Sequence, residues 1–204
     1  MKVPIWKIWL SDKPLPEHFK QYTDTWDKIS GGEVKEVTMD NIPDYMPCTH
    51  EDIDFILKKC KYNYQVFNHF IRYSIMYFNG GIYLDLDVEV LKDSDIWYSS
   101  EPTFFTETSV PLWINNHVMV CTTKNKDIYY ELSKSVAFKS KDNKKIEINT
   151  GPGLITSKAY YPDFIYKVYP PEYTTPWNWN EKPDRSRITE NTIAVHHFAH
   201  SWKK

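Results

Sequence analysis

The chain has 204 residues, enough for a substantial core within one domain. A formal net charge of −2 leaves no basic footprint for nucleic acid or an acidic membrane surface. Cys48, Cys60 and Cys121 are odd in number and widely spaced, so they make neither a disulfide framework nor a Cys-x-x-Cys metal site. That pattern suits a reducing compartment. Lys2, Pro4, Lys7 and Asp12 interrupt any signal-peptide-like run, and no segment approaches the roughly 18–20 continuous apolar residues of a membrane span. A cytoplasmic location is the expectation. Aromatics reach 16%; most belong to a core, although sugar sites also use aromatic platforms.

In chain order, Val3 to Leu10 reads as a buried strand closed by the Ser11-Asp12-Lys13-Pro14 turn. Leu15 to Ile29 predicts a helix carrying Phe19, Tyr22 and Trp26, broken at Gly31-Gly32. Glu33 to Met39 alternates as a second strand. Strand, helix and strand so close together predict a parallel βαβ unit. Thr49, with Asp52 three residues on, predicts a capped helix whose apolar face is Ile53, Ile56, Leu57 and Cys60.

Phe67 to Asp93 is the stretch around which the chain is organised. Phe67, Phe70, Ile71, Ser74, Ile75 and Phe78 fall at helical spacing, and Asn79-Gly80-Gly81 is a helix stop. An alternating run follows, with Ile82, Leu84, Leu86, Val88 and Val90 on one side and Tyr83, Asp85, Asp87 and Glu89 on the other. This predicts one continuous strand holding Asp85 and Asp87 on one face. Such carboxylates suit Mg²⁺ or Mn²⁺ shared with a substrate diphosphate. An isolated Asp-x-Asp is equally the solvated face of an edge strand; the preceding helix, the Gly-Gly break and the apolar alternation favour a site. Arg72, on an otherwise apolar helix, calls for an anionic partner, either in a ligand site or in a structural ion pair.

Beyond Lys92, Lys124 to Phe138 reads as a surface helix and Ser140 to Lys145 as a solvated loop. Thr150-Gly151-Pro152-Gly153 precedes an apolar Leu-Ile. Pro170 to Pro183 is a Pro- and aromatic-rich segment suited to a lid or acceptor loop. Glu190 to Trp202 places an apolar strand before His196-His197 and Ser201-Trp202.

Arg72 to Glu89, read as R-Y-x-x-x-Y-x-x-G-G-I-Y-L-D-x-D-V-E, resembles the DXD-containing sugar transferases. That family takes in capsular polysaccharide transferases, fungal initiating mannosyltransferases and, more distantly, clostridial glucosylating toxins. Trp9 with the turn after it, Thr150-Gly151-Pro152 and the terminal His-His…Ser-Trp resemble further family motifs in the same order. The resemblance implies a GT-A type α/β fold: one domain over 1–204, a mainly parallel sheet flanked by helices, with a nucleotide-sugar half to about residue 95. It implies a hexosyltransferase that takes a nucleotide sugar, a UDP-sugar before GDP-mannose, and retains configuration. With no second carboxylate marked in the sequence as a covalent nucleophile, front-face transfer is the expectation. The acceptor would be a glycan, a lipid-linked sugar or a protein, and a lipid-linked one is compatible with peripheral membrane attachment.

By the same resemblance, Asp85, Arg72 and Asn116 are the catalytic candidates. Trp9, His69, Arg72, Tyr83, Asp85, Ser201 and Trp202 are the donor-site candidates. Asp87 and His197 would bind Mn²⁺ or Mg²⁺ directly and Asp85 through water, with His196 in reserve because neighbours on a strand face opposite ways. Trp9 is also readable as a core residue at a strand end, and Asn116 as a turn asparagine. His69 stands where the family usually has Asp, which bears on the donor. The residues are also compatible with two other classes: a haloacid-dehalogenase-like phosphohydrolase using Asp85 and Asp87, and a non-catalytic carbohydrate-binding module.

Overall fold

The structure is a computed structural model that describes residues 2–107, 110–139, 146–159 and 163–199. Its centre is a six-stranded sheet in the order β2-β1-β3-β6-β5-β7. The strands are β1 (Val3–Ile8), β2 (Gly32–Val37), β3 (Gly81–Leu84), β5 (Thr103–Glu107), β6 (Val110–Cys121) and β7 (Lys167–Tyr169). β1 pairs in parallel with both β2 and β3, and β5 with β7; β6 alone runs against its neighbours. The sheet is therefore mainly parallel and flanked by helices, as expected of the α/β class. A two-stranded ladder of β4 (Val88–Val90) and β8 (Ala194–His196) forms a second, small sheet.

Two of the longer helices begin where the sequence supplies a side-chain cap. Thr49 and Asp52 form a reciprocal capping box on α3 (His50–Lys59), which follows the single-turn α2 (Ile42–Tyr45). Asn63 accepts from the backbone N–H groups of Gln65 and Val66 at the start of α4 (Tyr64–Asn79). α4 ends at Gly80 (φ 67°), and Gly81 follows at φ 106°. A β-carbon on Gly81 would stand 2.5 Å from the Pro4 carbonyl oxygen, so β1 and β3 pair this closely only over a glycine. The helix expected over 15–29 is shorter: α1 (Glu17–Thr23) passes into a 3₁₀ turn over Asp24–Lys28. That turn buries Trp26, whose indole donates to the Val88 carbonyl at 2.9 Å.

Alternation on the sheet divides the core into two. Trp6, Tyr83 and Met119 pack on one side with Phe67, Ile71 and Ile75 of α4 and Leu132 of α5 (Asp127–Lys139). Ile5, Ile82, Leu84 and Val118 pack on the other with Trp26, Trp97, Val88 and Val90. β3 is buried along its whole length.

One expectation is corrected here. Residues 82–90 are not one strand: β3 ends at Leu84, the Val88 N–H closes a turn on the Asp85 carbonyl, and β4 belongs to the small sheet. The chain changes sheets at Asp85-Leu86-Asp87. Leu86, expected in the core, is only partly buried and lines the adjacent cleft. No helix among the described residues is long and apolar enough to cross a membrane.

Candidate active site

Because β3 runs parallel to β1 and β2, Asp85 emerges at the carboxyl edge of the sheet, where ligands of open α/β folds bind. A cleft of about 1080 Å³ opens there, with Trp9, Arg72, Asp85, Asp87, Asn116 and His196 in its wall. Arg72, on the face of α4 turned toward this edge, donates from Nη1 to Asp85 Oδ1 at 3.0 Å and to the Asn116 carbonyl at 3.1 Å. Its other nitrogens grip Asn68 Oδ1 at 3.0 and 2.7 Å. Its guanidinium carbon lies 4.4 Å from the centre of the Tyr83 ring, and the Tyr83 hydroxyl donates to the same Asp85 oxygen at 2.5 Å. Asp85 is thus held at one oxygen. Burial pushes its carboxyl above the usual carboxylate range, Arg72 pulls the other way, and the neighbouring charge of Asp87 adds to the rise.

Asp87 is 6% exposed and bonded at both oxygens. His196 Nε2 lies 3.2 Å from Oδ1, and the Ala199 N–H donates to Oδ2 at 2.7 Å. Burial works against ionisation here, but His196 and these hydrogen bonds outweigh it and hold Asp87 well below its ordinary value. The same pairing outweighs burial for His196 and raises it. One ligand atom from each of Asp85, Asp87 and His196 lies within 4.8 Å of the others. Two carboxylates and an imidazole form a donor set suited to Mn²⁺ or Mg²⁺.

The place expected of His197 is therefore taken by His196. Antiparallel pairing of β4 with β8 sets Val88 opposite His196 and directs the two histidines to opposite sides. His197 meets Glu89 Oε2 at 2.9 Å and stacks on Tyr22, with ring centres 4.3 Å apart. Glu89 in turn takes two bonds from Arg185. Behind His196 lies His117, fully buried, its Nε2 2.9 Å from Thr174 Oγ1.

The other expected residues are placed as follows. Trp9, just past β1, lines the cleft and donates from its indole to the Lys13 carbonyl at 2.6 Å. Tyr83 is 3% exposed and serves as the stacking partner of Arg72 more than as an open face. The Asn116 side chain donates to the Tyr73 hydroxyl at 3.0 Å. His69 lines the cleft one helical turn before Arg72, with Nδ1 2.9 Å from Thr150 Oγ1. The Thr150 hydroxyl spends its hydrogen on the Ile146 carbonyl, so Nδ1 is the donor and Nε2 carries the lone pair. Burial, aided by Arg72, holds His69 well below its ordinary value, and the ring is neutral.

Thr150-Gly151-Pro152-Gly153 matters sterically. A β-carbon at Gly151 would come within 3.2 Å of the His69 ring, and one at Gly153 within 3.1 Å of the Trp113 indole. These glycines let α6 (Ile146–Asn149) and α7 (Pro152–Ala159) close against the cleft. The segment expected to form a lid is anchored rather than free along its length: residues 174–177 are buried, while residues 179–183 are exposed and Trp179 lines the cleft. Ser201 and Trp202 lie outside the described residues, as does the loop expected over Ser140 to Lys145. Sequence reasoning missed Glu107, Asn115 and Trp113 as cleft residues. The missing signal was topological: β6 runs antiparallel, so the start of this strand shares an edge with the ends of β3 and β5.

Comparison with known proteins agrees with this geometry. The family model of a glycosyltransferase sugar-binding region containing a DXD motif matches residues 16–104. The initiation-specific alpha-1,6-mannosyltransferase of Saccharomyces cerevisiae is 26% identical over 162 residues, which are 78% of this chain and 30% of that protein. The chain thus spans under a third of the length of this curated relative. The solved PaToxG glycosyltransferase superposes with a TM-score of 0.58 at 18% identity, over 78% of this chain and 69% of the other. In motif, in sequence and in fold, this chain is similar to glycosyltransferases of the DXD type.

Proposed function

We propose that this protein is a metal-dependent hexosyltransferase that moves a sugar from a nucleotide donor to an acceptor hydroxyl, with retention of configuration. The observation that carries this reading is the meeting of Asp85, Asp87 and His196 beside Arg72 in a cleft at the carboxyl edge of the sheet. Asp87 and His196, with Asp85, would hold Mn²⁺ or Mg²⁺. When bound, the ion supplies positive charge against the departing nucleoside diphosphate. Arg72 and Tyr83 hold the Asp85 carboxylate in one orientation, with the cost of burying these charges met by their mutual pairing. Trp9 offers an indole face to the nucleotide base. His69, neutral and with its Nε2 lone pair unpartnered among the described residues, offers an acceptor to a donor hydroxyl. That is the role an aspartate would serve, without the charge.

A UDP-hexose is the favoured donor; GDP-mannose is the other, supported by the similarity to a mannosyltransferase. Front-face transfer, with the leaving diphosphate taking the acceptor's proton, is the favoured course, since Asp85 and Asp87 are both engaged by hydrogen bonds. The test is a donor screen. Purified protein with Mn²⁺ or Mg²⁺ should release nucleotide from one UDP- or GDP-sugar, and EDTA should suppress that release. Absence of both release and metal-dependent nucleotide binding would overturn the proposal.

A further inference from the structure

Strand order divides the cleft into two sides. From β3, which delivers Asp85, the order runs through β1 to β2 on one side and through β6 to β5 on the other. Trp9 and Thr38 line the first side, beyond β1 and β2. The second side carries a different set of groups, about 10 Å away across two strand spacings. Glu107, at the end of β5, is 8% exposed and accepts from Asn115 Nδ2 at 3.2 Å. The orientation of that amide is set from behind, since Asn115 Oδ1 accepts from the backbone N–H groups of Asn116 and His117 at 2.7 and 3.2 Å. The β5–β6 ladder loses its regular register between Thr106 and Glu107, an irregularity that re-aims a side chain at a sheet edge. Trp113, seated against Gly153, and Trp179, half exposed, add two indoles to the same cleft.

We infer that Glu107, Asn115, Trp113 and Trp179 form the acceptor subsite and that its occupant is a saccharide; the inference rests on the transferase reading above. A pyranose has a face of C–H bonds and a rim of hydroxyls. The indoles match the face, and a carboxylate held by an amide matches two neighbouring hydroxyls. A polypeptide acceptor held by strand addition would instead call for backbone pairing along an open strand edge at this side of the cleft. Here β5 is flanked on both sides, by β6 and β7.

The test is saturation-transfer NMR on the full chain with Mg²⁺ and UDP or GDP. The probes are methyl α-mannopyranoside, methyl β-glucopyranoside and, separately, a Ser/Thr-containing peptide. A pyranoside should bind the wild type, and Glu107→Gln and Trp179→Ala should each weaken it by roughly ten- to a hundredfold, the loss of a charge-assisted bond or a stacking face. Both variants should bind nucleotide as the wild type does, which shows that they are folded. The inference is overturned if neither pyranoside binds, if the peptide binds in their place, or if both variants bind the sugar normally. Nucleotide binding is scored separately: its absence in the wild type sinks the transferase reading, while pyranoside binding still decides the subsite.

Discussion

His196 lies face to face on His117, the ring centres 4.6 Å apart and the planes within 3° of parallel. Two imidazoles stacked so closely in a buried site disfavour a positive charge on both. Burial and the neighbouring His196 hold His117 well below its ordinary value, while Asp87 raises His196 against the effect of burial. The outer ring is thereby placed against Asp87 by an inner ring that Thr174 anchors.

The two adjacent histidines should separate cleanly on mutation. His196→Ala and Asp87→Asn each remove a donor from the cluster and should lower Mn²⁺ affinity by about 100-fold or more, with loss of turnover. His197→Ala removes a contact to Glu89 and a stack on Tyr22, and should cost about 1 kcal/mol of stability while leaving metal affinity within a few-fold. Metal titration followed by calorimetry reads both. Equal loss in the two histidine variants would refute the assignment.

Arg72→Lys keeps the charge and loses the fork. A single ammonium cannot bond Asp85, Asn68 and the Asn116 carbonyl together, nor stack on Tyr83 as a plane. Loosening Asp85 in this way should reduce kcat/KM by about 100-fold. Thermal denaturation and steady-state nucleotide release should show an effect far larger on rate than on Tm.

In EDTA, stability should peak near pH 6.5, the ordinary histidine value. Below it, the unfolded chain takes up protons at His69 and His117 that the folded chain refuses, because burial lowers both. Each contributes a loss of up to about 1.4 kcal/mol per pH unit. Above it, His196 acts with the opposite sign. Its value is raised in the fold, so its contribution is complete below 6.5 and is lost as pH climbs through the raised value. Asp87, lowered in the fold, adds a further loss only below about pH 4. Urea midpoints at pH 5, 6.5 and 8 check the shape; a steady rise from 5 to 8 contradicts it.

Gly81→Ala should be among the costlier substitutions at the junction of β1 and β3. The new methyl would meet the Pro4 carbonyl at 2.5 Å and the Trp6 indole nitrogen at 2.8 Å, on a backbone at φ 106°. Rigid backbone on one side and positive φ on the other predict a loss of about 3 kcal/mol or more. Gly31→Ala, whose methyl would meet only the movable Tyr98 ring, should cost under about 1 kcal/mol. Equilibrium unfolding of the two variants gives the comparison directly.

Local chemistry made much of this protein legible from its residues. The capping pair Thr49 and Asp52, the apolar stripe of α4, the Gly80-Gly81 stop and the βαβ unit of β1, α1 and β2 all depend on neighbours in sequence. The sequence also pointed to Asp85, Asp87 and Arg72 as a group, and the structure places them side by side. Tertiary structure decided the rest. Alternation over 82–90 is compatible with one strand, and only the presence of a second sheet, built with residues over a hundred positions away, turns Asp85 to Asp87 into a corner. Likewise, neighbours on a strand face opposite ways whichever is functional. The register that sets Val88 against His196 is a long-range choice, made by packing in the core, and it selects His196 for the cleft and His197 for Glu89.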